Sequence, residues 1–255
     1  MITEPYLSVV IPAYNEERRI GKTLAAMRRF LDQQSYSYEV TVVDDGSRDT
    51  TRAIVSIIAE GWPQLKLITN LRNRGKGAVV RQGVLAAAGR YILFADADNA
   101  TPIEQIEKLL PYASQYPIVI GSRHCPGAKI HIPQARHRIL LSRGSNLLIR
   151  LLAVPGIWDT QCGFKLFERN AGQNIFANVR LERFGFDFEA LIIAQHLGYK
   201  FKEVGIDWYN DAESKVRTGR EALRTLKDLF LVKLNLLQGK YSRVGYIHRT
   251  PLPRR

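Results

Sequence analysis

Cysteine is scarce in this sequence: two among 255 residues, Cys125 and Cys162, neither in a C-x-x-C pair nor in a Cys/His cluster. A disulfide framework and a structural zinc site are therefore not what organises the chain, and a reducing setting is consistent with it. The five histidines, His124, His131, His137, His196 and His248, lack metal-ligand spacing as well. His196 reads as a packed or capping residue, and His124, beside Arg123, as the one placed to meet a ligand. No uncharged apolar run approaches the ~20 residues of a membrane-spanning helix. Residues 1–7, with Glu4 and Pro5, lack the apolar segment of a signal peptide. A Walker A loop is missing, and no G-x-G-x-x-G follows the first apolar run, which argues against a P-loop ATPase and an NAD enzyme. Internal repeats and low-complexity tracts are absent too.

Acidic residues are also outnumbered: 24 Asp and Glu stand against 37 Lys and Arg, a formal charge of +13. Such a surface seeks polyanions, whether nucleotide phosphates, nucleic acid or an anionic membrane. Nucleic acid is not the expected partner, because no aromatic platform or recognised motif accompanies the charge. Hydrophobic residues at 45% and charged residues at 24% suit a soluble globular domain with a full core.

What is present is an alternation. Short apolar runs at 7–11, 39–43, 65–69, 91–95 and 118–121 read as buried strands. Between them, 16–34, 49–59, 77–88 and 102–112 read as helices; Ile20, Leu24, Met27 and Leu31 stripe the first, and Ile54, Ile57 and Ile58 the second. This rhythm predicts an α/β fold: a mainly parallel, doubly wound sheet with helices on both faces and ligands beyond the carboxyl ends of the strands. Polar clusters fall at those ends: Ala13-Tyr14-Asn15-Glu16, Asp44-Asp45 and Asp96-Ala97-Asp98. The second half is less regular. A late strand is expected near 203–208. The segments 136–154 and 221–237 have the make-up of interfacial helices, with Leu223, Leu226, Phe230, Leu234 and Leu237 on one face of the latter and basic residues around it. Domain bounds are set at 1–218 for a catalytic unit (1–121 and 122–218 as its halves) and 219–255 for a C-terminal amphipathic helix and basic tail.

Asp96 and Asp98 carry the sharpest chemical signal. Residues i and i+2 of an extended segment point the same way, and two carboxylates side by side repel unless a cation lies between them. Such hard oxygen ligands suit Mg²⁺ or Mn²⁺. Asp44 or Asp45 at the end of the second strand could accept from a base or ribose hydroxyl, or simply build a turn. Asn73-Arg74-Gly75-Lys76-Gly77 opens the third helix; its free backbone N–H groups, with the Lys76 charge, suit a phosphate. Arg123, Arg136, Arg138 and Arg143 follow the acidic pair, and Arg123 and Arg143 are the favoured ligands of an acceptor phosphate.

In order, the segments Val9-Val10-Ile11-Pro12-Ala13-Tyr14-Asn15-Glu16, Val42-Val43-Asp44-Asp45-Gly46-Ser47, Asn73-Arg74-Gly75-Lys76-Gly77, Ala95-Asp96-Ala97-Asp98, Ile120-Gly121-Ser122-Arg123, Ser142-Arg143-Gly144-Ser145-Asn146 and Gln161-Cys162-Gly163-Phe164-Lys165 resemble glycosyltransferase family 2. Within it they resemble the dolichyl-phosphate glucosyl- and mannosyltransferase branch. The last segment, with Phe184-Gly185-Phe186-Asp187-Phe188-Glu189 and Ser214-Lys215, leans toward the glucosyltransferases. The resemblance implies a GT-A fold and a nucleotide diphosphate-sugar donor, UDP-glucose before GDP-mannose. It implies a polyprenyl phosphate acceptor at the cytoplasmic face of a membrane. It assigns Pro12, Ala13, Tyr14, Glu16 and Asp45 to the nucleoside, with Ala97, Gly75 and Lys76 also on the donor side, and Asp96 and Asp98 to the metal and diphosphate. Arg123 and Arg143, with Ser145 and Lys215, fall to the acceptor phosphate, and Asp187 or Glu189 to a supporting or base role. Two departures stand out. Ala100 replaces a Gln common in the mannosyltransferases, and Tyr209-Asn210-Asp211 replaces their Arg before the Ser-Lys pair, leaving Lys215 or Arg217 to supply that charge.

Overall fold

The computed structural model describes residues 4–131, 154–209 and 218–242, with only the backbone of 218–223. Nine strands and seven helices are described. They are β1 (Leu7–Ala13), α1 (Ile20–Leu31), β2 (Tyr38–Asp44), α2 (Thr51–Glu60), β3 (Leu65–Thr69), α3 (Lys76–Ala86), β4 (Tyr91–Ala95) and α4 (Ile106–Leu109). There follow β5 (Ile118–Ser122), β6 (Lys129–Ile130), β7 (Phe164–Glu168), α5 (Arg169–Asn178), α6 (Phe186–His196), β8 (Phe201–Gly205), β9 (Asp207–Trp208) and α7 (Thr218–Leu237).

Seven strands form one sheet in the order β3-β2-β1-β4-β7-β5-β8. All neighbours run parallel except β7, which is antiparallel to both β4 and β5. The mainly parallel α/β architecture is thus as expected. β6 and β9 pair separately.

Strand alternation divides the core in two. Val9, Leu93 and Leu166 face a cluster with Ile20, Leu24, Met27 and Val55; Val10, Ile92, Phe94 and Phe167 face another with Val80, Val84, Ile175 and Phe188. Helices on both sides follow from that two-sided burial.

Several local expectations are corrected. The predicted helix over 102–112 is a four-residue α4 between two short 3-10 turns, and Pro111 falls in the second, where it has no N–H to continue an α-helix. In α2 the buried residues are Thr51 and Val55, while Ile57 is 67% exposed. The second half is more regular than its sequence suggests. β7 is interrupted by a buried Lys165, and α6 is buried almost all round, with Asp187 and Glu189 among its buried residues. Neither shows a one-sided pattern.

α7 carries two apolar faces. Leu229 and Val232 are buried in the second core cluster, with Leu236 packed against it. The stripe singled out in the sequence lies elsewhere on the helix: Leu226, Phe230, Leu234 and Leu237 are all exposed, Phe230 by 72% and Leu237 by 85%. Among the described residues no helix is long and apolar enough to cross a membrane.

Candidate active site

The carboxylate pair begins one residue past β4, whose five residues are all buried. The Asp96 N–H donates to the Gly163 carbonyl at 3.2 Å, extending the β4–β7 ladder by one step. Asn99 then turns the chain with φ 54, and the Ala100 N–H donates to Asp98 Oδ1 at 3.0 Å. Two further elements pin this turn: the Thr23 hydroxyl of α1 donates to the Ala97 carbonyl (2.8 Å), and the Tyr209 N–H donates to the Ala100 carbonyl (2.8 Å). Burial and the neighbouring Asp96 charge push the Asp98 carboxyl above the usual carboxylate range.

Antiparallel β7 explains a feature the sequence left without a role. It starts where β4 ends, so Gly163 meets Asp96, and a Cβ at Gly163 would overlap the Asp96 carboxylate. Gly163→Ala is expected to displace that carboxylate by about 1 Å and lower transfer roughly 100-fold, with the circular dichroism spectrum unchanged. Wild-type turnover in the variant would show that Asp96 does not need this position.

Behind the pair lies an ionic chain. Lys76 Nζ is 2.7 Å from Asp96 Oδ1, and Lys165 Nζ is 2.6 Å from Asp187 Oδ1 while donating to the Cys162 carbonyl at 2.6 Å. Both ammonium groups lie over the Phe94 ring, at 5.4 and 5.9 Å. Burial opposes the Lys76 charge, but Asp96, Asp187 and Asp98 outweigh it and lift the group to about 12. Asp187 is pushed upward by burial, against the pull of Lys165 and Lys76. Asp187 is 5% exposed and its carboxylate is tied to Lys165. Lys165 was quoted in the sequence motif without a function; here it joins β7 to α6 beneath the acidic pair.

Glu189, the other residue given a supporting or base role, is held within the fold. It is fully buried, with Oε2 accepting from the Arg180 and Leu181 N–H groups and Oε1 from the Tyr241 hydroxyl. It ties α6 to the chain on either side and lies apart from the ionic chain, because two residues along a helix turn its side chain away from Asp187.

The end of β2 is also differently used. Asp45 Oδ1 accepts from the Arg74 N–H and Oδ2 from the Gly75 N–H, both at 2.8 Å. The backbone donor of Gly75 expected to be free for phosphate is therefore occupied. Burial pushes the Asp45 carboxyl up, and these two N–H groups hold it down. Asp44 is fully buried, accepts from the Ser47 N–H and pairs with Arg52 at 3.4 Å. Asp44 thus holds the turn after β2, and Asp45 ties that turn to the start of α3. Nucleoside contact by Asp44, Asp45, Pro12, Ala13, Tyr14 or Glu16 rests on the family likeness. Pro12 and Ala13 are buried at the β1 end, Tyr14 is 38% exposed, and Glu16 is ion-paired with Arg19.

Arg123 follows β5 and reaches the same edge, but its fork is engaged. Its Nε lies 2.7 Å from Asp159 Oδ2, its Nη2 2.8 Å from Asp159 Oδ1, and its backbone N–H donates to Oδ2 at 3.0 Å. Burial would raise the Asp159 carboxyl, yet Arg123 holds it down at about 2. Glu203 of β8 accepts from the Trp158 and Asp159 N–H groups and so places that loop, while Trp208 lies 5.4 Å beneath the Arg123 guanidinium. Among the described residues no partner is taken by the Arg123 Nη1. Sequence reasoning missed Asp159, which lies in no motif and 36 residues from its partner. Arg143, Ser145 and Lys215, with Arg136, Arg138 and Arg217, lie outside the described residues.

A mixed seven-stranded sheet carrying an acidic pair at the β4 edge is the architecture of GT-A glycosyltransferases. The family model described as glycosyl transferase family 2 matches residues 8–176, and the chain belongs to that family. The dolichyl-phosphate beta-glucosyltransferase of Homo sapiens is 36% identical over 249 residues, 92% of this chain and 77% of that protein. The Saccharomyces cerevisiae enzyme of the same name is 37% identical over 257 residues, covering 93% and 77%. Among solved structures, mannosyl-3-phosphoglycerate synthase from Rubrobacter xylanophilus aligns with a TM-score of 0.69 at 15% identity, covering 98% of this chain and 79% of that one. Glucosyl-3-phosphoglycerate synthase from Mycobacterium tuberculosis, solved with Mn²⁺, UDP-glucose and phosphoglyceric acid, aligns at 0.66 and 16% identity, covering 89% and 79%. The chain is a glycosyltransferase similar to the dolichyl-phosphate beta-glucosyltransferases, and at these identities the solved structures speak for its fold.

Proposed function

We propose that this enzyme transfers glucose from UDP-glucose to dolichyl or another polyprenyl phosphate at an anionic membrane surface, inverting the anomeric configuration. The observation that carries the reading is the meeting of Asp96, Asp98, Lys76 and Arg123 at one strand edge in a chain so similar to enzymes of that name.

The acidic pair fits a divalent cation. Asp96 Oδ1 is buried, its one polar partner among the described residues is the Lys76 ammonium at 2.7 Å, and Asp98 lies two residues on. Among the described residues no group of three or more His, Cys, Asp and Glu side chains is arranged to hold a metal. Asp96 and Asp98 are the carboxylates the described residues bring to it, and Mg²⁺ or Mn²⁺ would take phosphate oxygens and water beside them. Such an ion supplies charge stabilisation to the departing diphosphate.

The chain's own groups position the reactants. A phosphate monoester, with its second pKa near ~6, is already largely ionised at neutral pH. Its oxygen can attack the anomeric carbon from the face opposite the nucleotide without a strong base. Asp187, salt-bridged to Lys165, is accordingly spared for support of the site floor. Arg123, stiffened by Asp159 and Trp208, offers Nη1 to the acceptor phosphate, and Arg143, Ser145 and Lys215 are assigned to the same anion.

The exposed face of α7 supplies the membrane contact. Leu226, Phe230, Leu234 and Leu237 form an apolar strip flanked by exposed Arg224, Lys227, Lys233 and Lys240, the composition of a helix lying in a lipid interface. One assay tests both parts: transfer to dolichyl phosphate in vesicles with and without anionic lipid. UDP-glucose is expected to be used at least about tenfold better than GDP-mannose, and Phe230→Asp is expected to lose vesicle cosedimentation and lipid-dependent turnover together. A preference for GDP-mannose would overturn the donor assignment; undiminished cosedimentation of Phe230→Asp would overturn the role of α7.

A further inference from the structure

Lys76 occupies an unusual position for a residue expected to face a donor phosphate: its ammonium is already 2.7 Å from the carboxylate expected to hold a metal. Its backbone cannot give way. Gly75 precedes it at φ 109, and a Cβ on Gly75 would overlap the Glu182 carbonyl; a Cβ on Gly77 would overlap the Leu181 carbonyl and lie 2.7 Å from Phe186 Cβ. The Gly75 N–H is tied to Asp45, and the Ala78 N–H donates to the Glu182 carbonyl at 3.1 Å. The start of α3 is therefore clamped between Asp45 and the 181–186 segment, and only the four-carbon stem of Lys76 can move.

The charges around it make that movement consequential. Asp96, Asp98 and Asp187 face Lys76, and of these Asp187 is already paired with Lys165. Among the described residues Lys76 is the cation in contact with the remaining pair, while Arg19 acts on Asp98 and Arg123 on Asp96 from further away. A lysine ammonium is a compact charge on a flexible stem, with three donors. It can hold Asp96 in place, and it can turn to a diphosphate that arrives at the same two acids.

We propose that Lys76 is a tethered counter-ion: it holds Asp96 oriented while no metal is bound, is displaced from that carboxylate by the divalent cation, and passes its charge to the donor diphosphate. The diphosphate part rests on the nucleotide-sugar reading above. The exchange couples the two ligands, since the metal frees the ammonium that the nucleotide then uses, and such a coupling is reciprocal.

The test is a pair of affinities of opposite sign. Mn²⁺ binding to the nucleotide-free protein is measured by electron paramagnetic resonance of free Mn²⁺, and UDP binding at saturating Mn²⁺ by calorimetry, for wild type, Lys76→Met and Lys76→Arg. With the competing charge removed, Lys76→Met is expected to bind Mn²⁺ about tenfold more tightly and UDP about tenfold more weakly. Lys76→Arg, which keeps the charge, should stay near wild type in both. A lysine serving only to shape the site would make Lys76→Met weaker in both, and that result, or no change in either, overturns the proposal. If the wild type binds Mn²⁺ but not UDP, the nucleotide-sugar reading fails instead, and the Mn²⁺ affinities alone decide for or against the competition at Asp96. If Lys76→Met does not fold, Lys76→Gln removes the same charge and is judged by the same signs.

Discussion

Replacing Asp96 with Asn is expected to reduce glucosyl transfer by about 10³-fold or more, the scale seen when a preorganised electrostatic contact to the reacting centre is lost. The substitution keeps the size of the side chain, and besides Lys76 the groups that place it do not need its charge: the Gly163 carbonyl, the missing Gly163 Cβ and the Thr23 contact to Ala97. The variant should therefore fold, with a melting temperature close to wild type. Loss of the charge leaves Lys76 facing a neutral amide and gives a divalent cation one carboxylate instead of two. Chelation of the wild type with EDTA should reproduce the loss, and added Mn²⁺ should restore wild type but not Asp96→Asn. Full turnover in EDTA would remove the metal from the account altogether, and wild-type rates in Asp96→Asn would remove Asp96.

The acidic pair was visible in the sequence because its setting is simple. β4 is a run of apolar residues ending in Asp96-Ala97-Asp98, and in a parallel α/β sheet the end of such a run is where ligands bind. The first four strands were legible for the same reason. What escaped was whatever depends on contacts between distant parts of the chain. Lys165 breaks the apolar pattern of β7, and nothing local reveals that Asp187, 22 residues away, neutralises it. The antiparallel insertion of β7 between β4 and β5 is equally silent in sequence, yet it brings Gly163 against Asp96. The free donors expected at Gly75 turned out to be satisfied by Asp45, a pairing across 30 residues. In α7 the pattern showed one apolar face when there are two, because the buried Leu229 and Val232 and the partly buried Leu236 are interleaved with polar Asn235, itself buried at 4% exposure beside Tyr241.

Asp159→Ala carries the largest expected cost in stability. Asp159 is fully buried and receives three hydrogen bonds from Arg123; its removal strands a guanidinium whose side chain is 18% exposed. Breaking a buried pair from one side costs roughly 3–5 kcal/mol, because the partner charge is left without compensation. For a chain of this size that corresponds to a fall in melting temperature of about 10 °C. Removing both charges together, in Arg123→Met with Asp159→Leu, should recover much of the loss, since an apolar pair of similar volume avoids desolvating two ions. The same contact fixes the sign of a pH effect. Because Asp159 is held at about 2, below the range of a free aspartate, its contribution is fully present above about pH 4 and is lost as pH falls toward 2. Thermal melts between pH 7 and pH 3 should therefore show an acid-dependent loss in wild type that is smaller in the double variant, where this carboxylate is gone. Equal melting temperatures for wild type and Asp159→Ala would mean that Arg123 finds another partner. Stability would then no longer explain why the fork of Arg123, the one acceptor-phosphate candidate among the described residues, is turned to a carboxylate.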